Sequence, residues 1–525
     1  MGKYVGIDLG TTFSVVAYID EKGNPKIVPN KEGEQTTPSA VLFVKGKPVV
    51  GSSAKKKSIS DPGNYEAFVK RHMGESSYSF TNNNGESFRP EEVSCMILSK
   101  LKKDAEDSMG DEIAGAVITV PAYFADPQRQ ATKVAAELAG LNVLEMINEP
   151  TAAAVAFGVS KDIDGKQTVL IYDFGGGTFD VSILTIDNSK INVIATNGDH
   201  QLGGYDIDKA ICKYVIEEAA GEGFDIESDP KAMQSLMIEA ENVKKELSFK
   251  EEAELCIYIK GEAYETTIDR ETFEDSIAGG ILDTTLSVMY RTVKEAGLTY
   301  DAIDKVLLVG GSTRIPAVRR MIEEETGIRP SSEVHPDEAV AIGAAFHAVD
   351  AAKRKAAVPD TAPGNYSAPT IDAEELPPVD KEYTFQDVTS HGIGILTQDP
   401  ELGKTINSII LPKNTPIPAE FKAEYTTTVD YQEEIELQVT SGEFENPDYV
   451  TLIGNAIMKV RPRAYQVPIQ VVVSCDRNAI IHVRAIDKDE NVDLGEITIN
   501  RSEHNMTEEE VRKASKRLHK MNIGD

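Results

Sequence analysis

The same short pattern occurs twice in this chain. Residues 4–18 read YVGIDLGTTFSVVAY, and residues 169–183 read VLIYDFGGGTFDVSI. In each copy an apolar run ends near an aspartate, Asp8 or Asp173, and a glycine-containing turn leads into a second apolar run. Strand, tight turn and strand is the signature of a β-hairpin, because glycine readily adopts the φ angles that such turns need. The repeat therefore predicts that the first half of the protein contains two related subdomains.

Helical patterns separate the predicted strands. Asp126 is expected to cap a helix that closes near Gly140, and residues 231–247 form an amphipathic run. A third apolar strand with a glycine turn, KVLLVGGSTRIP, follows at 305–316. Strands that alternate with helices predict an α/β layout through about residue 357.

The pattern changes after residue 357. Five prolines fall within 358–380, which predicts an extended linker. Apolar and polar residues then alternate, as in EEIELQV at 433–439, and an antiparallel β-sandwich is expected. A capping box at Thr507 and Glu510 opens one last helix. The predicted domains are an α/β domain at 1–357, a Pro-rich linker at 358–384, a β-sandwich at 385–505 and a short helix at 506–525.

Charge and cysteine content exclude several classes of function. The chain has 54 Lys and Arg against 86 Asp and Glu, a formal net charge of −32, which repels nucleic acid and anionic membranes. No apolar run approaches the ~18 residues of a membrane helix, and the N-terminus does not resemble a secretory signal. The four cysteines form no C-x-x-C pair, which argues against zinc and disulfides and favours the cytoplasm.

The repeat also predicts chemistry. Asp8 and Asp173 would stand on opposite walls of a cleft, where they can hold a hydrated Mg²⁺. The turns at 10–12 and 175–178 offer backbone N–H groups and hydroxyls to phosphate oxygens. The alternative is that each is an ordinary hairpin with residues that favour turns.

Other polar residues fit the same chemistry. Lys70 can neutralise phosphate charge or orient the attacking water, and Glu149 can line the cleft. One helical face carries Glu241, Lys244, Lys245 and Ser248. Together these polar groups are able to grip a ribose and a base edge. Taken singly, each also fits a solvated surface charge or a helix-terminal carboxylate.

Eight motifs occur in an order that resembles the seventy-kilodalton heat-shock chaperone family. They are IDLGTT, FVKR, ITVPAYF, INEPTAAA, YDFGGGTFDVS, NGDHQLGGYD, LLVGGSTRIP and HPDEAVAIGAA, spread over residues 1–350. The resemblance implies an actin-like, two-lobed ATPase domain that binds ATP between its lobes, followed by the β-sandwich.

The resemblance also implies roles for individual residues. Asp8 and Asp173 would position Mg²⁺ through water, with K⁺ as a second ion. The catalytic set would be Lys70, Glu149, Asp173, Thr178 and Asp180; the nucleotide-binding set Asp8, Gly10, Thr11, Thr12, Gly175, Gly176, Gly177, Thr178, Gly203, Gly204, Glu241, Lys244, Ser248, Gly310, Gly311, Ser312, Arg314 and Asp337; and the interdomain relay Pro121 and Arg129.

The C-terminal half resembles the family's peptide-binding β-sandwich, which holds an extended segment by main-chain hydrogen bonds and takes apolar side chains into a pocket. The residues expected at that pocket are Ile395, Gln398, Tyr425, Ile435 and Leu437, and core packing is the alternative for the apolar ones.

The sequence departs from the family pattern in four ways. The linker is Pro-rich instead of leucine-rich, and Gln398 stands where the family has a methionine over the peptide. Glu145 stands where bacterial members carry a basic residue that meets the J-domain co-chaperone. The helical lid is expected to be missing.

Two functions follow from the resemblance. The first is a cytoplasmic, ATP-hydrolysing chaperone that binds unfolded polypeptide segments, with a J-domain co-chaperone and a nucleotide exchange factor as partners. The alternative is a nucleotide-dependent interaction protein, or a co-factor of another chaperone, with little general peptide capture.

Overall fold

The computed structural model describes residues 2–160, 165–187, 190–331, 333, 335–357, 376–379, 383–399, 403–498, 505–521 and 523. The chain is a mixed α/β protein with several sheets. Of the Pro-rich segment expected at 358–384, all but 376–379 and 383–384 lies outside the described residues.

The first lobe is built around one central sheet. Its elements are β1 (Lys3–Asp8), β2 (Phe13–Ile19), β3 (Pro25–Ile27), β4 (Thr37–Pro38), β5 (Ala40–Val44), β6 (Lys47–Val50), α1 (Ser52–Lys57), β7 (Tyr65–Ala67), β8 (Phe80–Thr81), β9 (Ser87–Phe88), α2 (Pro90–Met109), β10 (Ile113–Val120), α3 (Asp126–Leu138) and β11 (Val143–Asn148). The strand order is β11, β10, β1, β2, β3, and β1 runs parallel to β10 and antiparallel to β2. The expectation that Asp126 caps α3 is wrong by one residue, because the helix begins at Asp126 and Ala125 occupies the N-cap.

The second lobe repeats this plan. Its elements are α4 (Glu149–Ser160), β12 (Lys166–Phe174), β13 (Phe179–Asp187), β14 (Lys190–Asp199), α5 (Gly204–Gly221), α6 (Pro230–Leu247), β15 (Glu252–Ile259), β16 (Glu262–Asp269), α7 (Gly279–Glu295), β17 (Lys305–Val309), α8 (Pro316–Thr326), α9 (Ala339–Ala357) and β18 (Thr384–Gln386). The main sheet has the order β17, β12, β13, β14, β18. Both predicted hairpins are present, since β1 pairs with β2 and β12 pairs with β13 in antiparallel register.

Two alanine-rich helices, α4 and α9, join the lobes. Their buried side chains share one apolar core with residues of β2 and β12. The helices approach closely: a Cβ on Gly343 would lie 1.8 Å from the carbonyl oxygen of Ala152. This tight contact packs the two lobes against each other.

The C-terminal part consists of two antiparallel sheets. Its elements are β19 (Ile393–Gln398), β20 (Thr405–Leu411), β21 (Ala419–Thr426), β22 (Glu434–Ser441), β23 (Thr451–Lys459), β24 (Pro468–Cys475), β25 (Ile481–Asp487), β26 (Val492–Thr498) and α10 (Glu508–Leu518). One sheet has the order β20, β19, β22, β23 and the other β21, β24, β25, β26, and a single apolar core lies between them. We call this pair of sheets the sandwich.

The segments at the two ends of the sandwich bind to different lobes. At its N-terminal end, β18 adds to the second lobe as a parallel neighbour of β14. At its C-terminal end, α10 packs on α2 and α3 of the first lobe, where Ala514 and Leu518 are each 3% exposed. Thr507 and Glu510 form the predicted capping box of α10. Within the described ranges, no helix combines the length and the apolar character needed to cross a bilayer.

Candidate functional site

The turns of the two repeated hairpins face each other across the cleft. A Cβ added to Gly176 would lie 1.9 Å from Thr12 Oγ1, and one added to Gly177 would lie 2.3 Å from Thr11 Cγ2. Only a hydrogen atom fits at either glycine, so the two backbones can approach closely. The duplicated pattern therefore converges in one place.

A cavity of about 450 Å³ opens beside these turns. Most of the residues that the sequence predicts for a nucleotide site line it: Asp8, Gly10, Thr11, Thr12, Lys70, Glu149, Asp173, Gly175, Gly176, Thr178, Glu241, Lys244, Ser248, Gly310, Gly311, Ser312, Arg314 and Asp337. The other four predicted residues adjoin residues that line the cavity: Gly177, Asp180, Gly203 and Gly204. Asp180 is the cross-strand neighbour of Asp173, Gly203 would place a Cβ 2.5 Å from Gly177 Cα, and the N–H of Gly204 donates to the Gly175 carbonyl at 3.0 Å.

Lys70 and Glu149 form a buried ion pair at the floor of the cavity. Lys70 Nζ donates to Glu149 Oε1 at 2.6 Å, and the two residues are 4% and 8% exposed. Lys70 also lies 5.7 Å from the centre of the Phe124 ring. Burial holds this ammonium group in a fixed position and strengthens its field, because water screens it little.

Three further carboxyl groups lie close enough to this pair to interact with its charges. Burial and the charge of Glu149 raise the pKa of Asp8 to about 7, although Thr119 Oγ1 donates to Asp8 at 2.9 Å. For the same reasons the pKa of Asp180 rises to about 7 and that of Asp173 rises well above its usual value. Four acids therefore share one lysine, so the site favours an added cation.

The donor set fits a hydrated magnesium ion. Carboxylate oxygens are hard ligands, and Mg²⁺ commonly keeps several waters while it binds to substrate phosphates. Within the described part of the chain, no three His, Cys, Asp or Glu side chains converge on one coordination point. Asp8 and Asp173 are the carboxylates in the turns that could take part in holding such an ion.

The far end of the cavity carries paired charges on α6. Glu241 receives hydrogen bonds from Lys245, at 2.5 Å, and from Lys55 of the first lobe. Although burial opposes ionisation, these two lysines lower the pKa of Glu241 to about 2. Lys244 Nζ lies 2.7 Å from Asp208 Oδ1. These pairs fix the long side chains in place at this end of the cavity.

On another wall of the cavity, hydrogen bonds hold the side chains of Ser312 and Arg314 in place. Ser312 Oγ donates to the Gly175 carbonyl at 2.8 Å, which links this wall to the phosphate turn. Arg314 Nη2 donates to Asp337 Oδ2 at 2.6 Å. Gly310 has a φ of +81° and would place a Cβ 2.4 Å from the Phe174 carbonyl, so both its conformation and its packing require glycine.

Sequence reasoning missed two residues that hold the lobes together. Lys55 reaches Glu241 across the cleft. Arg71 donates from Nη1 to both carboxylate oxygens of Asp206 at 3.0 Å and from Nε to Gln201 at 2.9 Å. The only signal for Arg71 was its position next to Lys70, because its partners lie 130 or more residues away in sequence.

The two residues expected to relay the nucleotide state lie where the first lobe meets the sandwich. Arg129 is 3% exposed and donates from Nη2 to Asn148 Oδ1 at 2.7 Å. Asn148 in turn donates to Asp387 Oδ2 at 2.7 Å, just after β18. The carbonyl of Pro121 accepts from the Phe124 N–H at 3.2 Å, and the Arg129 Nε donates to the Phe124 carbonyl. One chain of hydrogen bonds thus runs from α3 to β18.

The residues predicted for a peptide pocket are divided between core and surface. Ile395 and Leu437 are 5% and 4% exposed and belong to the core of the sandwich. Tyr425 and Ile435 pack at its margin, and the Tyr425 hydroxyl lies 2.8 Å from Ser408 Oγ. Gln398 is exposed at the end of β19, where its Nε2 donates to Thr405 Oγ1 at 2.9 Å.

Glu145, the acidic departure from the family pattern, is bound within the protein. Its Oε2 lies 2.8 Å from Nε2 of the buried His347 and accepts from Arg354 Nη2 at 3.0 Å. Although burial opposes ionisation, His347 and Arg354 lower the pKa of Glu145 to about 2. The other ring nitrogen of His347 lies 3.2 Å from the Tyr383 hydroxyl, immediately before β18.

Comparison with protein families gives a match that covers nearly the whole chain. The family model described as Hsp70 protein matches residues 4–525.

Proposed function

The chain belongs to the Hsp70 family, whose members are ATP-dependent chaperones that bind ATP or ADP with Mg²⁺, and from this premise we propose that it hydrolyses ATP in the cleft between its lobes. The cycle would control the grip of the sandwich on extended apolar peptide segments. The observation that carries the proposal is the convergence of both hairpin turns on one cavity, with the Lys70–Glu149 pair at its floor.

In this proposal each residue at the phosphate end has its own role. The turns at 10–12 and 175–178 would bind the phosphates through backbone N–H groups and threonine hydroxyls. Asp8 and Asp173 would hold hydrated Mg²⁺, which neutralises phosphate charge when it is bound. Phosphoryl transfer depends mainly on positioning and on electrostatic stabilisation. Lys70 would face the γ-phosphate or orient the attacking water.

The carboxylates would manage the proton and a second cation. Glu149 keeps Lys70 in place and can accept a proton from the attacking water, alone or with Thr178. Asp180, buried beside Asp173, adds to the negative field that favours a K⁺ ion. The proposal also places the protein in the cytoplasm. Its four cysteines are free thiols, which suits a reducing compartment.

The adenosine end would be held by α6 and by the wall opposite it. Glu241, Lys244 and Ser248 would grip the ribose and base from one side. Gly310, Gly311 and Ser312, with Arg314 and Asp337, would face them from the other. Because Lys55 and Arg71 connect the lobes around this cavity, nucleotide binding would change how tightly the lobes close.

Lys70→Ala is the direct test of hydrolysis. The variant removes the one lysine shared by four buried acids, so ATP turnover should fall by about a hundredfold or more. Binding of Mg-ATP should stay near normal, because the turns and the α6 wall remain. Single-turnover assays and calorimetry measure the two quantities. Lys213→Ala, at a lysine whose side chain is 79% exposed, is the control; unchanged turnover in Lys70→Ala would remove Lys70 from the mechanism.

Peptide capture needs its own test, because Gln398 and the internally bound Glu145 favour the alternative of a nucleotide-dependent interaction protein. Fluorescence anisotropy with a labelled apolar heptapeptide, with and without ATP, separates the two functions. ATP-sensitive binding supports the chaperone. The absence of peptide binding at high micromolar protein supports the interaction protein. In that case no cycle of peptide binding and release would need a J-domain co-chaperone or an exchange factor.

A further inference from the structure

Phe68 has a backbone conformation that is unusual for an aromatic residue. Its φ and ψ angles are +61° and 16°, in the left-handed region that bulky residues rarely adopt. It stands between β7 and a short helical turn, Val69–His72, which carries Lys70. Strained residues persist only where their surroundings hold them, and they cluster at functional sites. The contacts of Phe68 therefore indicate what this conformation serves.

The Phe68 ring packs on a tyrosine of the other lobe. It stacks on the Tyr205 ring of α5, with the ring centres 4.0 Å apart and the planes inclined by 25°. Two cations lie over the same tyrosine ring: the Arg71 guanidinium carbon is 5.3 Å and the Lys209 Nζ 4.7 Å from its centre. Aromatic pairs and cation–π contacts are both attractive. The Phe68–Tyr205 stack therefore attaches the first lobe to the second.

Hydrogen bonds attach the same helical turn to the second lobe on the far side of Lys70. Arg71 donates to both carboxylate oxygens of Asp206, near the start of α5. Its Nη2 donates to the Gln201 carbonyl at 2.6 Å, and Gln201 Nε2 donates to the Arg71 carbonyl at 3.1 Å. Lys70 therefore lies between two residues, Phe68 and Arg71, that both bind the second lobe.

The start of α5 is in turn bound to the phosphate turn. The Tyr205 N–H donates to the Gly176 carbonyl at 2.7 Å, and the Gly204 N–H donates to the Gly175 carbonyl at 3.0 Å. Both of these carbonyls belong to residues that line the cavity. Tyr205 therefore contacts the phosphate turn through its backbone and the segment that carries Lys70 through its ring.

We propose that Phe68 and Tyr205 are positioning residues for hydrolysis, whose stacked rings place Lys70 at the phosphate turn. The inference rests on the proposed function, because it assumes that Lys70 acts on bound ATP. A displacement of about 1 Å can slow a reaction by about a hundredfold, since catalysis depends on how the reacting groups are placed. Both rings lie outside the lining of the cavity. Loss of either ring should therefore slow hydrolysis and leave nucleotide binding intact.

Tyr205→Ala removes the stack. In single-turnover assays the rate of hydrolysis should fall by about tenfold, while calorimetry should give a Kd for Mg-ATP within about twofold of the wild type. Tyr205→Phe keeps the ring and should restore the wild-type rate. Tyr258→Ala removes an exposed ring on β15 and should change neither quantity. Hydrolysis at the wild-type rate in Tyr205→Ala would overturn the inference.

Phe68→Ala removes the same contact from the first lobe. Because the two rings act as a pair, the double variant with Tyr205→Ala should hydrolyse ATP no more slowly than either single variant. Losses that multiply in the double variant would show that the rings act separately, which contradicts the proposed role of the stack.

A background without Lys70 separates positioning from a general loss of structure. If Tyr205 acts through Lys70, Tyr205→Ala slows hydrolysis in the wild type but lowers the residual rate of Lys70→Ala no further. A general disturbance of the fold would lower the rate in both backgrounds by the same factor. A further tenfold loss in the variant that combines both changes would therefore refute positioning.

Lys70→Ala also separates this inference from the proposed function. If Lys70→Ala abolishes hydrolysis while Tyr205→Ala leaves it at the wild-type rate, the positioning inference is wrong and the proposed function stands. If Lys70→Ala hydrolyses ATP as fast as the wild type, the proposed role of Lys70 fails and the inference fails with it.

Discussion

Asp126 is a buried carboxyl group at the contact between the first lobe and the sandwich. It is 6% exposed, and its Oδ1 accepts from the Ile481 N–H at 3.3 Å. Burial raises its pKa to about 7, although that hydrogen bond and Arg129 act in the opposite direction. The folded protein therefore holds a proton that the unfolded chain releases near pH 4. The stability that this group contributes is present at low pH and is lost as the pH rises through 7.

Asp126→Asn should remove that part of the pH dependence. The amide keeps an oxygen that can accept from Ile481 and cannot ionise, so the variant gains stability over the wild type as the pH rises from about 4 to 7. Thermal unfolding at pH 5 and pH 8 measures the difference in Tm between variant and wild type. That difference should be more positive at pH 8. Asp283→Asn, at an exposed aspartate of α7, should show the same difference at both pH values.

The repeat allowed the sequence to predict that Asp8 and Asp173 line one cleft, because matched hairpins imply matched positions. Other contacts carry no such signal. Lys55 meets Glu241 across 186 residues of sequence, and no local pattern indicates that pairing. The cap role expected of Asp126 failed for a related reason, since its carboxylate is used by a strand of the sandwich, which local capping rules do not consider.

At the scale of elements, β18 is the link between the second lobe and the sandwich. Its residues pair in parallel with Lys190, Ile191 and Asn192 of β14. Asp387 follows at once; its Oδ2 accepts from Asn148 Nδ2 at 2.7 Å and from Thr151 Oγ1 at 2.9 Å. A strand of three residues makes few ladder hydrogen bonds, so the buried hydrogen bonds to Asp387 add to its attachment.

Asp387→Ala should therefore loosen β18. The change leaves Asn148 and Thr151 without their acceptor in a buried place, at a cost of about 1–3 kcal/mol. Amide hydrogen exchange over Thr384–Gln386 should become faster by about tenfold or more, and ATP should alter peptide affinity less. Asp430→Ala, at an exposed aspartate of the sandwich, is the control. Equal exchange rates in wild type and Asp387→Ala would contradict this role.

The sandwich strands could be predicted from alternation alone, because each has one face toward the core. β18 could not. Its three residues, Thr384–Gln386, carry no alternation long enough to read, and the edge that they join is made by β14, far away in sequence. Pairing at a sheet edge is decided by tertiary contacts such as those of Asp387.

At the scale of the whole molecule, α10 fastens the C-terminal end of the sandwich to the first lobe. Leu518 and Ala514 are buried among side chains of that lobe, and the Arg517 guanidinium lies 4.5 Å from the Phe88 ring centre. The Met506 N–H also donates to Glu91 Oε1 at 3.3 Å. The sequence predicts the helix and its cap, but its binding partner depends on how the domains assemble.

Leu518→Ala should weaken this attachment. Truncation of a buried leucine costs about 2–5 kcal/mol when the site cannot collapse, and somewhat less at a surface helix that can shift. The Tm should fall by several degrees, and α10 amides should exchange faster. Lys516→Ala changes an exposed position of the same helix and should leave both unaltered. A wild-type Tm in Leu518→Ala would show that α10 adds nothing to stability.

The sandwich therefore has one anchor on each lobe, β18 on the second and α10 on the first. A rotation that widened the cleft would change the separation of these two anchors. If nucleotide binding changes the free energy of peptide binding to the sandwich, peptide binding changes the free energy of nucleotide binding by the same amount. Nucleotide and client would then each set the other's dissociation constant by the same factor, in both directions.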